Sequence, residues 1–209
     1  MNTGSSGRYG GRQRDPATDQ AIIDAVLDMV AAGATLTGLS LVTIAKEAGV
    51  SRNSVYRRWK TKDELYLDVL AAINQPLPPL AGSSTRDDVI ALVQVVAERV
   101  VDKRASSVLR ALNAEAAAFP ELHRQYFEAI VAPRRTAMNQ VLRRGVERGE
   151  IRPDADLDLI SDLLVSPLLA RMASGSTDQL DPAQSSRQIT DLVLTGAAPP
   201  GSPFPGGKP

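Results

Sequence analysis

Two short helical segments that meet at Gly49 are the feature of the sequence that most constrains the fold. Ser40 directly precedes the first segment, LVTIAKEAG, and Ser51 is the first residue of the second, SRNSVYRRW. Serine is favoured at the N-cap of a helix, so both segments have a start signal. Gly49 lies where helices commonly end in a left-handed conformation. In the second segment Val55 and Trp59 are four positions apart and share one face. Helix, tight turn and helix in this order predict a helix-turn-helix.

The outward face of the second segment is cationic and rich in hydrogen-bonding groups. When Val55 and Trp59 point inward, Asn53, Ser54 and Arg57 point directly away from the core. Arginine can bridge guanine O6 and N7, asparagine can bridge adenine N6 and N7, and serine can serve either base. The pattern predicts DNA contacts by eight residues: Ser51, Arg52, Asn53, Ser54, Tyr56, Arg57, Arg58 and Lys62.

The position of Lys62 and the distribution of charge also favour a nucleic-acid partner. Lys62 begins the next predicted helix, where its ammonium and the free backbone N–H groups suit a phosphate. The chain has no net charge, but residues 1–62 carry nine basic and five acidic residues, and the remainder carries the opposite excess. Such asymmetry is typical of a basic binding module on an acidic body. The alternative is that the outward arginines form only a solvated helix face.

The available residue types exclude several kinds of catalytic and metal site. The chain has no cysteine, and His123 is its single histidine, which excludes disulfides and thiolate sites and argues against histidine clusters and a Ser/His/Asp triad. No apolar run approaches the roughly 20 residues of a membrane span, and the N-terminus lacks the hydrophobic stretch of a secretory signal. We therefore expect a cytoplasmic protein with no cofactor, metal or membrane partner and no enzymatic activity.

Helical periodicity runs through most of the chain and predicts an all-α fold in two parts. Residues 15–62 form the N-terminal three-helix DNA-binding domain, and a helix over residues 62–73 connects it to the rest. Residues 74–196 form a C-terminal helical domain for ligand binding and dimerisation, which begins with the Pro-rich stretch QPLPPLAGSS. Residues 1–14 and 197–209 are predicted to be disordered tails. Whether the Arg-rich N-terminal tail contacts DNA is left open.

Residues 39–70, LSLVTIAKEAGVSRNSVYRRWKTKDELYLDVL, resemble the DNA-binding segment of the TetR/AcrR family of bacterial transcriptional repressors. The matching positions are Ile44-Ala45, Ala48-Gly49-Val50-Ser51, Val55-Tyr56, Trp59, Lys62 and Glu64-Leu65. The later stretch RGVERGEIRPDADLDLISDLLVSPLLARM is similar to one branch of the family's ligand-binding half. Val42 and Asn53 depart from the residues common at their positions, so the resemblance does not predict the operator sequence.

The resemblance implies a homodimeric repressor whose two helix-turn-helix units bind a pseudo-palindromic DNA operator. It also implies that a small, apolar effector bound among the helices of residues 87–150 shifts the helix of residues 62–73 and releases the DNA. Pocket candidates on these middle helices are Asn113, Phe119, Tyr126, Phe127 and Met138. His123 is interpreted as a core or surface residue rather than as a ligand contact.

Apolar residues on the last two predicted helices independently support a homodimer. The helix LDLISDLLVSPLLARMA is apolar on two faces, and a helix of this kind has two partners. The predicted interface consists of Leu157, Ile160, Leu164, Leu168, Ile189, Leu192 and Val193. Three alternatives remain: a single large monomer core, a DNA-binding helical protein without a ligand, and an all-helical enzyme.

Overall fold

The computed structural model describes residues 16–198, and every regular element in this range is helical. The helices are α1 (Pro16–Ala31), α2 (Leu41–Glu47), α3 (Arg52–Tyr56), α4 (Lys62–Ala72), α5 (Thr85–Val101), α6 (Lys103–Ala114), α7 (Pro120–Tyr126), α8 (Ala132–Glu147), α9 (Leu157–Ser174) and α10 (Pro182–Ala197). The predicted all-α fold is confirmed. The two predicted tails lie outside the described residues, apart from positions 197 and 198.

The helices α1, α2 and α3 enclose a small core made of aliphatic side chains and one tryptophan. Ile22 and Val26 of α1, Ile44 of α2 and Val55 of α3 are completely buried. Trp59, just after α3, is almost completely buried as well. Val55 and Trp59 therefore lie on the inner face, as their spacing predicted, and the helix-turn-helix prediction is confirmed.

Local capping determines where the helices of this module begin and end. The backbone N–H of Thr43 donates to Ser40 Oγ at 3.1 Å, and the backbone N–H of Ser40 donates to Thr43 Oγ1 at 3.0 Å, which forms a reciprocal capping box. The backbone N–H of Ser54 donates to Ser51 Oγ at 3.1 Å and caps α3. Gly49 has a φ of 65°, in the left-handed region that favours glycine, and the chain turns sharply there between α2 and α3.

The helix α4 joins this module to the rest of the chain and packs against both α1 and α7. Tyr66 of α4 is buried, and its hydroxyl donates to the carbonyl of Leu36 at 2.7 Å. Burial, and to a smaller extent the charges of Glu115 and Asp63, raise the pKa of Tyr66, so the hydroxyl remains protonated and able to donate. The α4 helix is thereby fixed to the loop between α1 and α2.

The helix α5 lies at the centre of the C-terminal body and packs against α6, α8, α9 and α10. Its Val89, Val93 and Val100 side chains are completely buried. The approach of α8 is close, because a Cβ added to Gly145 would lie 2.9 Å from Thr85 Cγ2. Glycine is therefore the residue that allows these two helices to meet at this distance.

A π-helical turn, Phe127–Val131, lies between α7 and α8. Pro133, at the start of α8, cannot donate the backbone hydrogen bond that a continuous α-helix requires. The backbone N–H of Ala132 instead reaches back five positions to the carbonyl of Phe127. The turn places Phe127 beside the cavity of the C-terminal body.

Candidate nucleic-acid interface and internal cavity

The helix α3 and the turn after it form the cationic surface that the sequence predicted. The α-helix covers only Arg52–Tyr56, and Arg57 is its C-cap. The predicted DNA contacts that are exposed are Ser51, Arg52, Asn53, Tyr56 and Arg57. Ser54 is half-buried, and its hydroxyl lies 2.9 Å from that of Ser51, so the hydroxyl of the N-cap residue contacts a side chain of the helix that it caps.

The exposed cations of this surface are Arg52, Arg57 and Lys60. The Arg52 guanidinium lies over the Tyr56 ring, 5.0 Å from its centroid, a stacking that orients the side chain along the helix. Within the described chain, Arg52, Arg57 and Lys60 form no ion pair with a carboxylate. Lys60 was not among the predicted contacts, although the basic run YRRWK could have indicated it. Such groups are available for phosphates and base edges.

The structure corrects the prediction for Arg58. The Arg58 side chain is only 7% exposed and forms an ion pair with Asp19 of α1. Its Nη1 also donates to the carbonyl of Ser54 at 3.1 Å. Because α3 ends one residue before Arg57, the side chain of Arg58 turns back toward α1 rather than outward. Arg58 therefore holds α3 against α1 in this structure and does not face a DNA groove.

Lys62 is also placed differently from the prediction. Its Nζ donates to the carbonyls of Leu36, Thr37 and Leu39 at 3.1, 3.0 and 2.9 Å. An ammonium has three donors, and all three are used inside the protein. The Lys62 side chain therefore fastens the start of α4 to the loop between α1 and α2, and it has no donor left for a phosphate.

Phe119 is likewise a correction, because it packs against α4 and does not line the main cavity of the C-terminal body. Its ring is buried and packs edge-on against Tyr66 of α4, with ring centroids 5.7 Å apart. The Lys62 ammonium lies 5.5 Å from the centroid of the same ring. Phe119 therefore belongs to the contact between the C-terminal body and α4.

A cavity of about 280 Å³ lies among α5, α6, α7, α8, α9 and the π-helical turn. The other four pocket candidates line it: Asn113, Tyr126, Phe127 and Met138. Phe127 is 46% exposed and stands at the mouth. The remaining wall is mostly aliphatic, with side chains such as Leu92, Val96 and Val165. Most of this wall suits an apolar group.

The sequence pattern did not indicate the charged residues of the cavity. Arg99, Arg134 and Arg135 line it, and so does Asp162, whose Oδ1 lies 2.5 Å from Arg135 Nη1. His123, interpreted from the sequence as a core or surface residue, lines it too. Arg99 stands in the apolar run VVAERVV, which is the one signal that could have indicated an inward-facing charge.

The apolar faces of α9 and α10 correct the predicted dimer interface. Ile160, Leu164 and Leu168 are buried inside the chain's own core, at 6%, 0% and 1% exposure, so they are not available to a partner. The partly buried members of the predicted set are Leu157, Ile189 and Val193, and Leu192 is exposed. The opposite face of α9 exposes Leu159 and Leu163. The apolar surface that α9 exposes is therefore formed by Leu159 and Leu163 and not by the predicted Ile160, Leu164 and Leu168.

The described residues contain no group of three His, Cys, Asp or Glu side chains that could hold a metal ion. Within residues 16–198, none of the helices combines the length and the hydropathy that crossing a membrane requires.

Several known transcriptional regulators are similar to the chain in sequence. The HTH-type transcriptional regulator YdeS of Bacillus subtilis is 29% identical over 189 residues, which cover 88% of this chain and 90% of YdeS. The HTH-type transcriptional regulator AqdR of Rhodococcus erythropolis is 28% identical, with 82% of this chain and 83% of AqdR covered. The DNA-binding transcriptional repressor TetR of Mycobacteroides abscessus is 27% identical, with 74% of this chain and 81% of that repressor covered.

Solved structures share the fold at lower sequence identity. A TetR-family regulator from Rhodococcus sp. superposes with a TM-score of 0.70 at 19% identity, covering 85% of this chain and 98% of that one. The regulator FadR from Bacillus subtilis, solved in complex with stearoyl-CoA, superposes with a TM-score of 0.66 at 17% identity, covering 85% of this chain and 98% of FadR.

Two family matches together span most of the described chain. Residues 35–69 match the family described as bacterial regulatory proteins, tetR family, and residues 79–193 match the tetracyclin repressor-like C-terminal domain. The first match contains α3, and the second contains all the residues that line the cavity except Leu77. Members of this family are transcriptional regulators rather than enzymes. The chain belongs to the TetR family of bacterial transcriptional regulators, with an N-terminal helix-turn-helix and a C-terminal helical domain.

Proposed function

We propose that the protein is a transcriptional repressor that binds a pseudo-palindromic operator as a homodimer and leaves it when a small effector enters the cavity. The observation that carries the proposal is the exposed face of α3, where Arg52, Asn53 and Arg57 lie together and form no ion pair with a carboxylate of residues 16–198. This face offers the donors that bind base edges and phosphates in a major groove. A related protein described as a DNA-binding transcriptional repressor supports the direction of regulation.

The proposed homodimer rests on the exposed apolar side chains of α9 and α10. Leu159, Leu163 and Leu192 are 55%, 48% and 76% exposed, on two helices that pack against each other. Exposed leucines in this number indicate a surface that a partner covers. A dimer places two copies of α3 on one duplex, and half-sites then recur about 34–36 Å apart. The proposed interface is Leu159, Leu163, Ile189, Leu192 and Val193.

The proposed effector site is the cavity of the C-terminal body. A protein without a ligand would have its middle helices packed solid, and a cavity of about 280 Å³ argues against that alternative. Leu77, which follows α4, lines the cavity, as do residues of α6, and α6 packs against α1. An occupant therefore contacts elements that are joined to the DNA-binding module. The complex of FadR with stearoyl-CoA provides a precedent for a ligand in this fold.

Release of DNA requires that the effector bind one of two conformations better than the other. In the proposed division of the chain, residues 15–62 bind DNA, residues 62–73 connect the two parts and residues 74–196 bind the effector. A change in the cavity reaches the DNA-binding part through α4 and through the contact of α6 with α1.

Selection of duplexes from a random pool by the full-length protein tests the proposed function. We expect enrichment of one sequence that contains two inverted half-sites about one helical turn apart, or a multiple of it. Recovery of single, unrepeated half-sites would contradict the dimer. Failure to enrich any sequence would contradict the assignment of α3 as a DNA-binding surface.

A further inference from the structure

Arg99 of α5 is a buried cation with no ion-pair partner in the part of the chain that the structure describes. The residue is 8% exposed and lines the cavity. Its Nε has no hydrogen-bond acceptor, and within residues 16–198 no carboxylate forms an ion pair with it. Burying an unpaired guanidinium is costly, and proteins pair almost all such groups. A buried guanidinium that lines a cavity is suited to binding an anionic group.

A second guanidinium faces the same cavity. Arg134 of α8 is half-buried, and burial, followed by the charge of Arg99, lowers its pKa. Two like charges close enough to disfavour each other are stabilised by an anion placed between them. The only carboxylate among the lining residues is Asp162, and it is paired with Arg135 at 2.5 Å. The charges of Arg99 and Arg134 are therefore not neutralised by the cavity wall.

The apolar residues of the cavity wall indicate the chemistry of the part of the ligand that lies away from the two arginines. Leu92, Val96, Leu109, Met138 and Val165 present apolar surface around the two arginines. Such a wall favours a hydrocarbon body, and the arginines favour an anionic head. At about 280 Å³ the cavity suits a compact head group such as a carboxylate better than a nucleotide.

We propose that the effector is an amphipathic carboxylate, whose head group binds between Arg99 and Arg134 and whose hydrocarbon body fills the apolar part of the cavity. The proposed ligand rests on the proposed function and makes its effector more specific. It replaces the purely apolar effector expected from the sequence. A guanidinium fork matches the two oxygens of a carboxylate, so the head group fixes the orientation of the ligand.

The same site explains how occupancy reaches α4. Arg134 donates to the side chain of Asn74 and to the carbonyl of Gln75, which directly follow the end of α4. A carboxylate bound to Arg134 competes for the donors that hold these two residues. The ligand therefore acts on the connection between α4 and α5 through one side chain, that of Arg134.

Calorimetric titration of the full-length protein without DNA tests the proposal. The probes are straight-chain carboxylates from hexanoate to dodecanoate, each compared with the primary alcohol of the same length. We expect at least one carboxylate to bind about tenfold or more tightly than its alcohol, as charge-assisted hydrogen bonds require. We expect Arg99→Met to remove this preference and to leave the affinity for the alcohol nearly unchanged. Arg143→Met, at an exposed position of α8, is the matched control and should change neither affinity.

The melting temperature of the unliganded variants provides a second readout. Arg99→Met should raise it relative to the native protein, because the change removes an unpaired buried charge. The proposal is overturned if no carboxylate in the series binds, if alcohols bind as tightly as carboxylates, or if the preference persists in Arg99→Met. A lowered melting temperature in Arg99→Met would assign the guanidinium a structural role instead.

These outcomes are independent of DNA binding, because no DNA is present in the titration. A protein that binds carboxylates but enriches no duplex would retain the ligand assignment and contradict the proposed regulator. A protein that enriches a duplex but binds no carboxylate would contradict the ligand assignment alone.

Discussion

The carboxylate of Glu115 accepts a hydrogen bond from the backbone N–H of Thr37 at 2.7 Å, across 78 positions of the chain. It also accepts one from the backbone N–H of Leu36 at 2.8 Å. Glu115 is the C-cap of α6, and Leu109 and Asn113 of the same helix line the cavity. The loop that supports α2 is therefore held by the helix that lines the proposed effector site. We interpret Glu115 as a second connection between the two parts of the chain, besides α4.

Glu115→Gln should lower the free energy of unfolding by about 1 kcal/mol at neutral pH, because a neutral amide is a weaker acceptor for the two N–H groups. The largest influence on the Glu115 pKa is burial, which raises it, but the hydrogen bonds from Thr37 and Leu36 and the charge of Lys62 together lower it. Because the folded-state pKa of Glu115 is below the ordinary value of 4.5, the ionised carboxylate stabilises the fold fully above pH 4.5. This stabilisation is lost as the pH falls below 4.5 and through the folded-state pKa. Urea denaturation at several pH values measures both effects.

In that experiment the difference between the native protein and Glu115→Gln should shrink as the solution is acidified. Glu147→Gln, at an exposed position of α8, is the control and should match the native protein throughout. A Glu115→Gln variant that is as stable as the native protein at neutral pH would show that this connection contributes nothing.

Lys60 and Lys62 should respond differently to substitution, although only one residue separates them. Lys60 is exposed, so Lys60→Ala should reduce the slope of log affinity against log salt by about one, as expected for the loss of one phosphate contact. Lys62→Ala should leave that slope unchanged and lower the free energy of unfolding by about 1–3 kcal/mol, since three carbonyls lose their donor. DNA titrations at a series of salt concentrations, with thermal denaturation of each variant, separate the two roles. Reversed behaviour of the two lysines would contradict the placement of the Lys62 ammonium.

Leu192→Glu should dissociate the proposed homodimer into monomers. Leu192 is 76% exposed on α10, so the substitution leaves the folded chain intact and places two like charges in a symmetric interface. We expect the dimer dissociation constant to rise at least about tenfold, as charge burial costs several kcal/mol. Sedimentation velocity measures the change, and Gln140→Glu, at an exposed position of α8, is the control. A Leu192→Glu variant that remains dimeric would place the interface elsewhere.

The helix-turn-helix could be predicted from the sequence because its determinants are local. The caps at Ser40 and Ser51, the left-handed Gly49 and the four-residue spacing of Val55 and Trp59 all act within a few positions. The burial of Val55 and Trp59 follows from that spacing once the helices form. Local preference and tertiary packing agree in this part of the chain.

The roles of Arg58 and Lys62 could not be predicted because their partners are distant in sequence. Asp19, the partner of Arg58, lies 39 positions earlier, and the carbonyls that hold Lys62 lie 23 to 26 positions earlier. A helical wheel gives the direction of a side chain only while the helix continues, and α3 ends at Tyr56. Beyond that point the turn geometry decides where a long side chain goes.

The division of α9 into an inner and an outer face also depends on tertiary structure. The sequence identifies two apolar stripes, and nothing local distinguishes Leu164, which is completely buried, from Leu163, which is 48% exposed. The packing of α5, α6 and α8 against α9 selects the stripe that becomes core. The inward position of Arg99 has the same origin, because α5 is surrounded by other helices.

Fluorescence anisotropy of a selected duplex, titrated with the native protein and with Arg57→Ala at two salt concentrations, tests the central claim most directly. We predict tight binding by the native protein that weakens with salt, and a loss of about 1–3 kcal/mol in specific affinity for Arg57→Ala, as for a base contact. Arg143→Ala, far from α3 on an exposed face of α8, should bind as the native protein does. Equal affinities for Arg57→Ala and the native protein would mean that the outward face of α3 is a solvated surface and that DNA is bound elsewhere, if at all.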